Sequence, residues 1–276
     1  MKQGETSAPC DEPATSQALN GCWNSSPSTS SGNQITRKMG GKAFLHVLDH
    51  APRGQPIDPT MLRELDVSPA LASYWVRAGW LVRLAKGAYL VRGDTPTREG
   101  ILRYLSRRVP GLHVGGKTAL DWQGARHNIA FRPRIVLWGQ VPYRFPTWVP
   151  EYVPYSYQTT QLFTEAFPYE TGLKPLPNGS SQVLVSVPER ALLELVSDVG
   201  KGQSLEEVIN IAQTLRNLRV QVLDQFLEAC QRVKVVRLVR DIGLATGFTW
   251  GQGLQKHVDR LSADKRWSNR THNGSE

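Results

Sequence analysis

The sequence predicts an α+β protein: an N-terminal winged helix-turn-helix domain followed by a mixed α+β C-terminal domain. Three observations lead there. Two capped helices and a hairpin signal lie between residues 58 and 91, proline-cut β-type runs fill 134 to 163, and helical periodicity runs from residue 188 to Gly247. Charge separates the same two regions. Residues 37 to 134 hold 17 Lys or Arg against 7 Asp or Glu, whereas residues 135 to 262 hold 12 of each, so the formal net charge of +9 arises in the first half. Clustered cations gain affinity for nucleic acid by displacing counterions from phosphates, so the basic half points to a polyanion partner.

The expected organisation is a leader over residues 1–36, a DNA-binding domain with a helical extension over 37–134, a second domain over 135–262 and a flexible tail over 263–276. The leader is rich in Ser, Gly, Pro, Asn and Thr and lacks the large apolar residues needed to offset the entropy of ordering. It has no basic start followed by an apolar core, and the chain has no run of about 18 apolar residues, so the expectation is a cytoplasmic, nucleoid-associated protein with no membrane segment. A natural start at Met39 is equally compatible with the sequence.

In the basic half, GKAFLHVLDH (41–50) places Phe44, Leu45, Val47 and Leu48 on one helical stripe. A second helix fits DPTMLREL, with Asp58 as cap and Pro59 at the first position; a third fits SPALASYWVR, capped by Ser68, opened by Pro69 and stopped at Gly79. WLVRLAKGAYLV then reads as a two-stranded wing turning at Lys86-Gly87. With Ala72, Trp75 and Val76 turned inward, the outer face of the third helix carries Ser68, Ala70, Ser73, Tyr74 and Arg77, the residues placed to meet DNA. Arg83 and Lys86 join them from the wing. A fourth helix, 97–109, has Ile101, Leu102 and Leu105 inward and Arg98, Arg103, Arg107 and Arg108 outward, either as an extension of the DNA footprint or as a solvated face.

The stretch GLHVGGKT (111–118) satisfies the phosphate-binding P-loop pattern, but its setting is wrong. Before Gly111 stands the end of a basic helix and Pro110, and neither IVLWG nor VLVSV ends in an acidic residue that could help hold magnesium. A short extended piece, a glycine turn and a short helix KTALDWQG is the better reading, leaving Lys117 to face either DNA or the second domain. No cofactor is expected.

The second half alternates like β structure in RIVLWG, VPYRFP and YVPYSYQTTQLF, cut by prolines 142, 146, 150 and 154, so its strands should be short or at an edge. After VLVSVP come PERALLELVSDV, then SLEEVINIAQTLRNL with a capping box at Ser204 and Glu207, and two further helices ending at Gly247. No catalytic constellation is apparent: Glu189 and Glu194 are five apart on one helix, and no Ser, Cys or His has an evident base. Cys10, Cys22 and Cys230 suggest neither disulfides nor zinc, and His46 with His50 lacks a third ligand, so no metal is expected.

The segments SPALASYWVRAGWLVRLAKGAYLV, GLHVGGKTALDWQG, VSVPERALLEL and ACQRVKVVRLVRDIG, in that order, resemble the AbiEi antitoxins of abortive-infection (phage-defence) type IV toxin–antitoxin systems. The resemblance covers about residues 40 to 265. It implies a non-enzymatic repressor that binds double-stranded DNA at its own operator, the expected sites being inverted repeats on which two copies dimerise. It also implies a C-terminal part that counters a nucleotidyltransferase-like toxin without a stable complex. Ser68, Ser73, Tyr74, Arg77, Arg83 and Lys86 match the family's DNA-facing positions, and Lys234 and Arg237 match basic positions of its late helix, the expected antitoxin surface. The long leader and Trp80, where a polar residue is common, depart from the pattern. Two other readings stay open: a regulator with no antitoxin role, and a P-loop nucleotide-binding protein.

Overall fold

The computed structural model describes residues 31–125, 134–175 and 182–262, so most of the expected leader and the whole tail lie outside the described residues. The packing discussed below belongs to the compact unit Lys42–Glu276.

Helix α1 (Ser31–His50) starts ten residues ahead of the expected 41–50, inside the stretch assigned to the leader. No proline stands between Pro27 and Pro52 to break it. Helices α2 (Pro59–Glu64) and α3 (Pro69–Arg77) follow the predicted caps: Asp58 accepts the Met61 N–H at 2.7 Å and Ser68 Oγ accepts the Leu71 N–H at 3.2 Å. The turn between them is tightened by Asp66, left-handed at φ +56°, a conformation that Asp tolerates better than most residues. Gly79 (φ +75°) ends α3 and turns the chain into an antiparallel hairpin, β1 (Leu81–Ala85) and β2 (Ala88–Val91). Ile57, just before α2, bridges to Tyr89 and fastens the hairpin to the helices. Trp75 is fully buried at the centre of this small core with Val47, Ile57, Leu62, Ala72 and Leu81 around it.

The remaining elements share a second, larger core that begins with Ala88 on the hairpin. Helix α4 (Arg98–Ser106) buries Ile101, Leu102 and Leu105 there, and a Cβ on Gly100 would lie 2.3 Å from the Gly54 carbonyl oxygen, so only glycine lets the two segments approach. A five-stranded mixed sheet has the order β5-β4-β3-β7-β6, formed by β3 (His113–Val114), β4 (Ile135–Trp138), β5 (Tyr155–Gln158), β6 (Leu173–Pro175) and β7 (Leu184–Ser186). Strand β3 is central, antiparallel to β4 and parallel to β7. The sheet therefore takes a strand from the N-terminal side of the boundary anticipated near residue 134. VPYRFP, expected as a strand, is irregular: its prolines lack the N–H a ladder needs, and the segment instead begins the crossover, through short α6 (Val149–Tyr152), that lets β5 lie parallel to β4.

Helix α5 (Gly116–Trp122) packs against α7 (Pro188–Ser197), every residue of which from Glu189 to Ser197 is buried. Around them stand α8 (Leu205–Ala212), α9 (Val220–Ala229), α10 (Val233–Thr246) and a last helical stretch at 255–262. Gly247, at φ +68°, stops α10 where the sequence places the stop. Among the described residues no helix is long and apolar enough to cross a membrane.

Candidate nucleic-acid interface

The capped entry of α3 fixes which side chains face out. Ala70, Ser73 and Arg77 are exposed and fall at i, i+3 and i+7, one stripe of the helix, opposite buried Ala72 and Trp75. Ser68 is exposed at the tip, its Oγ already accepting the Leu71 N–H. Tyr74 stands apart from this group. It is half-buried, its ring meeting Trp80 edge-on at 6.2 Å, because Trp80 folds back past Gly79 and donates its N–H to the Trp75 carbonyl at 2.9 Å. The ring thus belongs in part to the small core.

Arg83 on β1 and Lys86 in the hairpin turn are exposed, with the Arg83 guanidinium 5.8 Å from the centre of the Tyr89 ring. Among the described residues Arg77, Arg83 and Lys86 form no ion pair, whereas Arg53 is held by Asp94 and Arg107 by Glu64. The outer cations of α4 are similarly engaged: Arg103 lies 3.9 Å from Glu99, Arg98 sits over Trp122 and Arg108 over Tyr104. Among the described residues Arg98 and Arg108 have rings but no carboxylate beside them, and Lys42, Arg63 and Arg92 also lack ion pairs, so unpaired cations spread beyond α3 and the hairpin, with Arg77, Arg83 and Lys86 the ones that stand beside the outward stripe of α3.

Lys234 and Arg237, both exposed, are successive residues of one face of α10, and the Lys234 ammonium donates to the Val199 carbonyl at 2.8 Å. His50 Nδ1 lies 2.9 Å from the His46 carbonyl oxygen, and among the described residues no three His, Cys, Asp or Glu side chains converge on a metal-sized site.

At GLHVGGKT the structure brings together residues far apart in sequence. The N–H of Gly116, at the start of α5, is accepted by Glu194 Oε2 of α7 at 3.0 Å. Glu194 is fully buried and also takes His113 Nε2 at 3.0 Å, Ser186 Oγ at 2.8 Å and Arg190 Nε at 2.8 Å. Burial pushes its carboxyl up, but the His113 charge and hydrogen bond, with Arg190 behind them, outweigh that and hold it down to about 2. The anion that a phosphate loop would receive is therefore supplied by the chain itself. Lys117 points away, pairing with Glu207 of α8 and so facing the second half of the chain. Glu189, five residues earlier on α7, has a separate partner: Arg219 gives it its backbone N–H at 2.8 Å and its guanidinium at 2.7 Å, and these bonds keep Glu189 below the ordinary range against the upward push of burial.

The sequence reading missed His113, Ser186, Arg190 and Glu194 as a group. Its signal was present in PERALLELV, where apolar residues occupy so much of the helix circumference that Arg190 and Glu194, at i and i+4, are forced inward as a pair. The cluster does not form a nucleophile–base arrangement, since Ser186 and His113 both contact the carboxylate.

Among known families, a model described as the transcriptional regulator AbiEi antitoxin of type IV toxin–antitoxin systems matches residues 132–275, and a model of the AbiEi antitoxin N-terminal domain matches residues 42–131. No curated protein matches the sequence. A solved structure, that of the RV2827C protein from Mycobacterium tuberculosis, aligns at 16% identity over 82% of this chain and 80% of that one, with a TM-score of 0.49.

Proposed function

The chain belongs to the AbiEi family of antitoxin transcriptional regulators of type IV toxin–antitoxin systems, and on that premise we propose that it represses its own operon through a winged helix formed by α2, α3 and the β1–β2 hairpin. In this reading α3 enters the major groove of operator DNA with Ser68, Ala70 and Ser73 toward base edges. Arg77 holds a phosphate or a guanine, and Arg83 and Lys86 of the wing meet the backbone or the minor groove. Two copies on inverted repeats would place their α3 helices about one helical turn apart. The observation that carries the proposal is the set of three exposed cations, Arg77, Arg83 and Lys86, left without ion pairs beside the outward stripe of α3.

The remainder of the chain, with Lys234 and Arg237 at its surface, counters a nucleotidyltransferase-like toxin without a lasting complex. The protein acts in the cytoplasm and without catalysis of its own, the buried carboxylate of Glu194 being engaged by four donors of the fold.

Fluorescence anisotropy with DNA from upstream of its own gene, across a salt series, tests the DNA face. Arg77→Ala and Arg83→Ala should each weaken binding and reduce the slope of log K against log salt by about one unit. Unchanged slopes in both would remove the assigned interface. In cells carrying the adjacent toxin gene, the double variant should lose repression yet still protect, whereas Lys234→Ala with Arg237→Ala should do the reverse. Loss of both activities in either variant, with the protein still folded, would overturn this division of roles.

A further inference from the structure

Among the described residues the five-stranded sheet has β5 at one edge and β6 at the other, and the two edges are built differently. β6 carries an exposed lysine, Lys174, and a proline, Pro175, residues that keep an open edge from meeting another strand. β5 reads Tyr-Ser-Tyr-Gln, with no charge, no proline and no bulge. Its ladder with β4 is parallel. Ile135 donates its N–H to the Pro154 carbonyl at 2.9 Å and Gly139 to the Gln158 carbonyl at 3.0 Å, so residues 154, 156 and 158 turn their backbone groups toward β4. The N–H and C=O groups of Tyr155 and Tyr157 therefore point to the open side, and among the described residues nothing pairs with them. The crossover beside this edge has the composition of a contact surface, rich in tyrosine and poor in lysine. Val141 and Tyr152 are exposed there, and Pro142, Tyr143 and Pro150 line an open groove with Tyr155 and Tyr157. Arg144 and Glu151, also exposed, form no ion pair among the described residues, so the surface carries one free charge of each sign.

A second copy of the chain meets the requirements of this edge. Run antiparallel about a two-fold axis at Ser156, Tyr155 of each copy stands opposite Tyr157 of the other, and the free N–H and C=O groups of each pair bond to one another. Ser156 then faces its own counterpart at the close, non-hydrogen-bonded position, where a small side chain is needed. The rings of Tyr155 and Tyr157, which rest on Phe145 at 4.6 and 4.9 Å, fall on one face and extend into a cross-strand row. Free charges of both signs on the crossover mean that two copies meet without net repulsion. We propose that β5 is a self-association edge, through which two copies join their sheets into one. The proposal rests on the operator reading for its use, since two copies on inverted repeats need a surface by which to meet.

Sedimentation equilibrium of the full chain without DNA, from micromolar to submillimolar concentration, tests it, and the absence of DNA leaves the operator reading standing if the proposal fails. The mass should rise from one chain toward two. Ser156→Lys sets like charges face to face at the two-fold axis and should weaken association about tenfold or more, as should Ser156→Glu. An equal mixture of the two variants should associate again, because each lysine then meets a glutamate. Lys174→Glu, on the other edge, should change nothing. On the wild-type protein, amide exchange at Tyr155 and Tyr157 should slow as concentration rises, while that of Ser156, which faces β4, should not. That measurement stands even where the Ser156 variants fail to fold. The proposal is overturned if the mass stays at one chain throughout, if Ser156→Lys associates as well as wild type, if the mixture does not recover, if Lys174→Glu abolishes association, or if the two tyrosine amides are unaffected by concentration.

Discussion

Glu194 on α7 accepts the N–H of Gly116 at the start of α5, 3.0 Å away and 78 residues apart in sequence. A carboxylate seated on a helix N-terminus is favourably placed, and here it also closes the space an outside anion would need. A Cβ on Gly115 would lie 2.3 Å from the same carboxylate oxygen. Because Glu194 balances Arg190 and His113 in a site closed to water, its removal leaves uncompensated buried groups. Glu194→Ala is expected to cost about 3–5 kcal/mol in urea unfolding, the usual penalty for breaking a buried pair. A loss under about 1 kcal/mol would show that the cluster is incidental to stability.

The same carboxylate sets an acid dependence. Its ionisation lies at about 2 in the fold against an ordinary 4.5, so the folded state favours the charged form. Its contribution is complete above about 4.5 and is lost as pH falls toward 2. Unfolding midpoints of wild type and Glu194→Gln should therefore converge on acidification through that window. Glu189 and Asp224 are also held low, but both remain in the variant and cancel in the difference. A constant gap between the two proteins from pH 4.5 to 2 would refute the assignment.

Asp198 behaves in the opposite sense. Burial pushes it up to about 6, with Lys201 opposing and the Glu194 charge adding, and it caps the C-terminus of α7, where the helix dipole disfavours a negative charge. Its Oδ1 is buried without a partner. Ionised Asp198 therefore weakens the fold above about 6, and that penalty vanishes below its ordinary 3.8. Asp198→Asn should melt higher than wild type at neutral pH, with the advantage shrinking as pH falls. A variant that melts lower at neutral pH would mean that the carboxylate has a stabilising partner after all.

Local signals explain what the sequence made legible. Asp58, Ser68 and Ser204 cap their helices because a short side chain one position ahead of an apolar stripe has a single nearby use, and Gly79 and Gly247 take the left-handed turns that few other residues accept. The short extended piece expected ahead of the glycine turn is strand β3, but a period of two cannot be read from His113 and Val114 alone, so nothing local tells which strands it joins. Its place in the middle of the sheet comes from tertiary pairing with β4 and β7. For the same reason the Glu194 cluster was hidden: its members come from β3, α5, β7 and α7, and only their packing brings them within hydrogen-bonding distance. The short pattern GLHVGGKT misleads for the complementary reason, since spacing says nothing of what already occupies the helix end.

Tyr74 separates packing from recognition on α3. Its ring meets Trp80 at 6.2 Å and rests on the small core, yet the residue is half-exposed beside Arg77. Tyr74→Phe keeps the ring and removes only the hydroxyl, so its melting temperature should match wild type, and any loss of operator affinity then measures a contact made by the hydroxyl. Tyr74→Ala removes the ring as well and should destabilise the domain by about 1–3 kcal/mol, less than the 3–5 kcal/mol typical of a fully buried aromatic because one side already meets water. Operator binding by Tyr74→Ala must be measured well below its melting point, since unfolding would otherwise pass for lost recognition. If Tyr74→Ala proves as stable as wild type while both variants lose affinity alike, the ring does not belong to the core and Tyr74 serves the DNA face alone.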